Sequence, residues 1–165
     1  MTATFYCAHC GRTHIGMITD WAFALPDDVF ALSPEARNGR SDFNSDFCVL
    51  DEKRFFVRCV LEIPFQVGLG TFGWGVWVEL SSGDYLHYAR NFEHDLRTVP
   101  PVKGILANAM APYPDTLGRK VLIQYGDSET RPDVRVSEAA GSLFRVQRDS
   151  ITNADYHDIL ICLTR

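Results

Sequence analysis

In Phe55-Phe56-Val57-Arg58-Cys59-Val60-Leu61-Glu62-Ile63, the positions Phe55, Val57, Cys59, Leu61 and Ile63 are apolar, while Arg58 and Glu62 fall between them. Successive side chains of a strand point to opposite faces, so this alternation predicts a strand with one face in a core. The run Phe72-Gly73-Trp74-Gly75-Val76-Trp77-Val78-Glu79-Leu80 repeats the pattern. Phe72, Trp74, Val76, Val78 and Leu80 share one face; the two glycines, Trp77 and Glu79 share the other. Glycines at 73 and 75 let another segment lie directly against the strand. Trp77 is expected to be covered by a helix packed on the sheet; left exposed, it would be a contact residue for a partner.

Upstream of these strands, residues 20–25 read as extended up to Pro26, with one or two helical turns over 27–32. Ser33 is an N-cap and Pro34 the first helical residue of a short helix expected to stop at Asn38-Gly39. Downstream, Ser82-Gly83-Asp84 opens a helix expected to run through Leu96, with Tyr85, Tyr88, Ala89, Phe92 and Leu96 as its apolar stripe. A strand begins at Gly104, residues 120–125 and 133–136 form a hairpin-type pair, and residues 143–148 are helical. Thr152 caps a last helix whose core face is Tyr156, Ile159, Leu160 and Leu163. Strands clustered in the middle with helices beside them predict an α+β fold: a mostly antiparallel central sheet, flanking helices and an N-terminal Cys-x2-Cys knuckle. The 165 residues fit a single domain, 1–165.

Composition narrows the function classes. Hydrophobic residues make up 46% and charged residues 22%, enough for a packed core without help from a metal. The net charge is −5 and no run of lysine or arginine occurs, so nucleic acid is not an expected partner. No apolar stretch approaches the roughly 18 residues that a membrane-spanning helix needs. The start Met1-Thr2-Ala3-Thr4-Phe5-Tyr6 has no basic or apolar leader character, and the expectation is a soluble, cytoplasmic protein. Five cysteines, an odd number, then read as reduced thiols and not as a disulfide framework.

Two of these cysteines carry the one chemically specific signal. Cys7-Ala8-His9-Cys10-Gly11 has the spacing with which two thiolates grip one tetrahedral ion, and Gly11 lets the knuckle turn its amides toward sulfur. Zinc is the natural ion for such a pair. Metal-free packing thiols and a redox dithiol are the alternatives, the latter disfavoured because Gly11-Arg12-Thr13 does not continue as a helix. No Gly-x-Ser-x-Gly elbow is present. Gly68-Leu69-Gly70-Thr71-Phe72-Gly73 has dinucleotide-fingerprint spacing but precedes a strand, so it reads as a bend. His87 and His94 read as part of a solvated helix face, and His157 in the last helix is ambiguous.

Several segments together resemble the bacterial domain-of-unknown-function family DUF2199. They are Cys7-x-x-Cys10-Gly11-x-x-His14, Ser45-Asp46-Phe47-Cys48-Val49-Leu50-Asp51, the strand from Val57 to Pro64, and Trp74-Gly75-Val76-Trp77-Val78-Glu79-Leu80. Weaker matches at Gly104-Ile105-Leu106, Tyr113-Pro114-x-Thr116-Leu117, Gln147-Arg148 and Ile151-Thr152 extend the resemblance over nearly the whole chain. Cys59 stands where the family usually has glycine, and Asp149-Ser150 where glycine is typical before Ile151. The resemblance implies membership of an uncharacterised family and no particular reaction. Because Cys48 belongs to the shared motifs, it is the first choice for a third metal ligand, with His14 the next, giving the expected set Cys7, Cys10, His14 and Cys48.

The preferred functional expectation is a small non-enzymatic binding domain with a structural zinc knuckle, acting through a protein partner as an inhibitor or immunity-type factor. The alternative is a zinc-dependent hydrolase centred on Cys7 and Cys10, with Asp46 or Asp51 as general base.

Overall fold

The computed structural model describes residues 4–7, 10–15, 18–66 and 70–163, with the backbone alone at 4, 5, 14 and 15. In chain order the elements are β1 (Thr4–Cys7), β2 (Arg12–Ile15), β3 (Asp20–Ala22), α1 (Asp27–Phe30), α2 (Pro34–Arg40), β4 (Ser41–Phe43), β5 (Phe47–Leu50), β6 (Arg54–Pro64) and β7 (Thr71–Leu80). They continue with α3 (Ser82–Arg90), β8 (Val102–Leu106), β9 (Lys120–Gln124), β10 (Asp133–Val136), α4 (Ser142–Asp149) and α5 (Asn153–Leu163).

The two long runs are β6 and β7, and their alternation holds. Val57, Cys59, Leu61 and Ile63 of β6 and Phe72, Trp74, Val76, Val78 and Leu80 of β7 all lie in one core. They pair antiparallel from Phe55↔Leu80 to Pro64↔Thr71.

What these strands build differs from the expected α+β fold with a mostly antiparallel central sheet and flanking helices: it is a closed, mixed five-stranded β-barrel with extra strands and few helices. Antiparallel pairing runs β6–β7–β8–β9–β10, and β10 then returns to β6 in parallel, at Asp133↔Val60. The physical reason is strand length. β6 has 11 residues and β7 has 10, enough for each to serve different neighbours along its two halves. β6 pairs with β5 over Arg54 to Val57 before it meets β10; β7 holds β3 in parallel at Gly73 to Gly75 and β8 at Val78 and Glu79. Twisted strands staggered in this way coil the sheet until its ends meet.

Glycine makes two of these contacts close enough. A Cβ at Gly104 of β8 would run into Val78 Cγ1 of β7, and one at Gly75 would stand 2.9 Å from Ala22 Cβ of β3. The expected close approach at the β7 glycines is therefore made by β3.

On the outer side of the barrel, Trp77 is buried with Leu25, Val29, Cys48, Leu50, Phe56 and Ala107 in a second apolar cluster. The segment leading into α1 supplies its cover. Asn108, fully buried, ties this layer down: its Oδ1 accepts from the Trp77 amide at 2.8 Å, and its Nδ2 donates to the Leu25 carbonyl and to Asp27 Oδ1.

The helices close the rest. Tyr88 of α3 stacks on Tyr125 with ring centroids 4.7 Å apart, and Tyr156, Ile159 and Leu160 of α5 join the barrel core. Ser33 caps α2 by accepting from the Ala36 amide, as its sequence predicts. That helix passes through Asn38-Gly39 and ends at Arg40, where the Ser41 hydroxyl donates to the Arg37 carbonyl. α3 ends at Arg90 and not at Leu96, because Asn91 Nδ2 donates to the His87 carbonyl and stops the helix. Among the described residues no helix is long and apolar enough to cross a membrane.

Candidate metal centre

β1 and β2 form a separate antiparallel hairpin in which Cys7 pairs with Arg12 and Phe5 with His14. Its turn is a knuckle: the Gly11 amide donates to the Cys7 carbonyl at 2.8 Å, and Gly11 has φ +67°, a left-handed conformation that glycine adopts without strain. The turn carries Cys10, half-buried, above the buried Cys7.

The third group comes from the far end of the chain. α5 opens on a reciprocal cap in which the Asp155 amide donates to Thr152 Oγ1 and the Thr152 amide donates to Asp155 Oδ2. One turn on, Tyr156 buries its ring against Phe65 and Phe72 and donates its hydroxyl to the Ile18 carbonyl at 2.8 Å. This fixes α5 beside the segment that follows β2, and it sets the next residue, His157, against the knuckle. Cys7 Sγ and His157 Nδ1 stand 3.5 Å apart, and with Cys10 the three ligand atoms lie within 4.8 Å of one another.

That geometry can hold a metal. With metal–sulfur bonds near 2.3 Å and metal–nitrogen bonds near 2.05 Å at a tetrahedral angle, sulfur and nitrogen sit about 3.6 Å apart. The same separation suits a thiol–imidazole hydrogen bond, as in a Cys–His catalytic dyad. Two features weigh against the dyad: Cys7 is buried, whereas a nucleophile must reach substrate, and Cys10 adds a second sulfur to the pair.

Among the residues expected from sequence, Cys7 and Cys10 are brought together. Cys48 lies outside this group: on β5 it packs into the outer cluster with Trp77, and burial, reinforced by Asp42, pushes its thiol up to about 11. The backbone of His14 is in β2, and its side chain lies outside the described residues. Cys59 points into the barrel and is raised still further, chiefly by burial; Cys162 is exposed on α5. Asp46 pairs with Arg131 at 2.9 Å and Asp51 with Arg40 at 2.8 Å, so both carboxylates serve ion pairs. His87 and His94 are exposed.

The residue of this group that the sequence did not assign is His157. No local spacing marks it, since it stands 150 residues from Cys7; its one signal is its place beside the core residue Tyr156 on a capped helix.

A family model described as an uncharacterized protein conserved in bacteria (DUF2199) matches residues 6–151. The span takes in the knuckle and the whole barrel and ends before His157. No curated protein and no solved structure matches the chain.

Proposed function

The chain belongs to the DUF2199 family of uncharacterised bacterial proteins, and from that premise we propose that it is a non-enzymatic binding domain, stapled by one structural zinc ion, that acts by engaging a protein partner. The observation that carries the zinc is the meeting of Cys7, Cys10 and His157 within 4.8 Å. Two thiolates and an imidazole are the donors that zinc takes in preference to magnesium or calcium.

A structural role is favoured by where the donors come from. Two sit on a knuckle outside the barrel and the third on a helix that closes the core, so one ion ties the first hairpin to the last helix. In this reading the fourth ligand is His14, whose place in β2 is two residues beyond Arg12, the partner of Cys7. A site closed by four protein ligands leaves no position for a substrate or a reactive water. The net charge of −5 suits capture of a basic partner, as an inhibitor or immunity-type factor would use it.

Replacing the ion with cobalt tests this directly. The expected visible spectrum is that of a tetrahedral site with two thiolates, unchanged by added azide or imidazole. A spectrum that shifts with either anion or base would reveal an open position and overturn the structural role.

A further inference from the structure

The parallel seam that closes the barrel is also where its wall splays. β10 and β6 meet at one register position, Asp133↔Val60, with the Val60 amide donating to the Pro132 carbonyl. Beyond it, α4 stands in for the missing strand. Gln147 Nε2 donates to the Val134 carbonyl at 2.7 Å and Gln147 Oε1 accepts from the Val136 amide at 2.9 Å. Between the diverging strands lies a cleft of about 920 Å³, at the upper end of the range usual for ligand sites.

The lining of the cleft takes in β6 from Val60 past Glu62 to Pro64, a rise of roughly 13 Å at the strand spacing, which about four residues of extended chain would match. Its lining carries four carboxylates, Asp46, Glu62, Glu129 and Asp133, against two guanidinium groups, Arg131 and Arg135. Arg131 is already held by Asp46 at 2.9 Å, and the exposed Arg135 reaches Asp133 only at 3.7 Å. Glu62 and Glu129 have no ion pair among the described residues, and Phe92 adds an aromatic wall.

We propose that this groove is the docking site for an extended, lysine- or arginine-bearing segment of a partner protein, with Glu62 and Asp133 accepting its cationic side chains. Carboxylates beside an aromatic ring are the chemistry that recognises ammonium and guanidinium groups, and the stretch of β6 in the lining, together with the single register at which β10 pairs with it, suits a strand-like segment. Burial holds the Asp133 carboxyl above its ordinary range, with Glu62 adding to the shift and Arg135 opposing it; an incoming cation relieves that situation. The proposal rests on the partner-binding reading above and gives it a place and a partner chemistry.

The test is isothermal titration of the metal-loaded full chain with an octalysine peptide, an octaglutamate peptide and spermine, at several salt concentrations. Wild type is compared with Glu62→Gln/Asp133→Asn and with a control of equal charge change at exposed sites outside the cleft, Glu35→Gln/Glu52→Gln. The expected result is binding of octalysine that the cleft variant weakens at least tenfold and the control less than threefold, with no binding of octaglutamate. An equal loss in both variants would mean diffuse attraction to an acidic surface and would overturn the proposal. So would spermine binding as tightly as the peptide, which would assign the cleft to small polyamines, or no binding of octalysine at all. Metal content and near-ultraviolet dichroism of each variant separate loss of the groove from loss of the fold. Failure here leaves the zinc staple and its cobalt test untouched.

Discussion

The Sγ of Cys7 and the Nδ1 of His157 stand 3.5 Å apart although 150 residues separate them in the chain. Nearly the whole barrel is threaded between these two atoms. A contact of that span joins the two ends of the fold, and with Cys10 beside it the three ligand atoms lie close enough together to hold a metal ion, which would tie those ends as a cross-link does.

The thiols should therefore differ sharply in reactivity. Cys162 is exposed, burial pushes Cys48 up to about 11, and Cys59 lies higher still. Thiolate is the reacting form, so at pH 8 the two barrel-wall cysteines stay protonated as well as covered. With metal bound, alkylation followed by mass spectrometry is expected to label Cys162 alone. After a chelator, Cys7 and Cys10 should label as well, while Cys48 and Cys59 should not.

Asn108 should be among the costliest polar residues to remove. Asn108→Ala leaves the Trp77 amide and the Leu25 carbonyl without their partner in a buried layer. Each buried group left unsatisfied costs about 1 to 3 kcal/mol. A loss of about 3 kcal/mol in chemical denaturation is expected, with metal content unchanged because the candidate site lies on the β1–β2 hairpin and α5, away from Asn108.

Asp133 should weaken the fold at neutral pH. Its folded-state carboxyl titrates above the unfolded value, chiefly through burial, so the folded state holds the proton more tightly. Stability is then greatest below the unfolded value of about 3.8 and declines as pH rises through the raised one. Asp133→Asn is expected to melt higher than wild type at pH 7, with the difference vanishing toward pH 3. A lower melting temperature at pH 7 would contradict the assignment.

The alternation of β6 and β7 made both strands and their core faces legible, and the caps Ser33 and Thr152 marked two helix starts. Trp77 is covered and not left exposed, but the cover comes chiefly from the segment around Leu25, with Val29 as the contribution of α1, where a helix packed on the sheet was expected. Closure was not legible. It depends on one parallel register, Asp133↔Val60, between strands far apart in sequence, and alternation fixes which way side chains point without fixing which edges meet. The mostly antiparallel central sheet was the expectation that local pattern alone supports.

The same limit applied at the candidate metal centre. Cys7 and Cys10 are neighbours with a spacing that carries its own chemistry, whereas His157 gains a role only when α5 docks. The Tyr156 hydroxyl on the Ile18 carbonyl places it there, a contact that spans 138 residues. Cys48 was drawn toward the site by the motif it sits in, and the fold turns it into the layer beneath Trp77. α3 is a smaller instance: its aromatic stripe has helical spacing as far as Leu96, yet Asn91 ends the helix through a side-chain bond that the stripe does not encode.

The most direct measurement is elemental analysis of the purified protein beside the variants Cys7→Ser, Cys10→Ser, His157→Ala and Cys48→Ser. The account predicts about one zinc ion per chain in wild type and in Cys48→Ser, as one tetrahedral site requires, and little or none in the other three. Zinc that persists in His157→Ala, or that is lost with Cys48, would contradict a site built from the knuckle and the last helix.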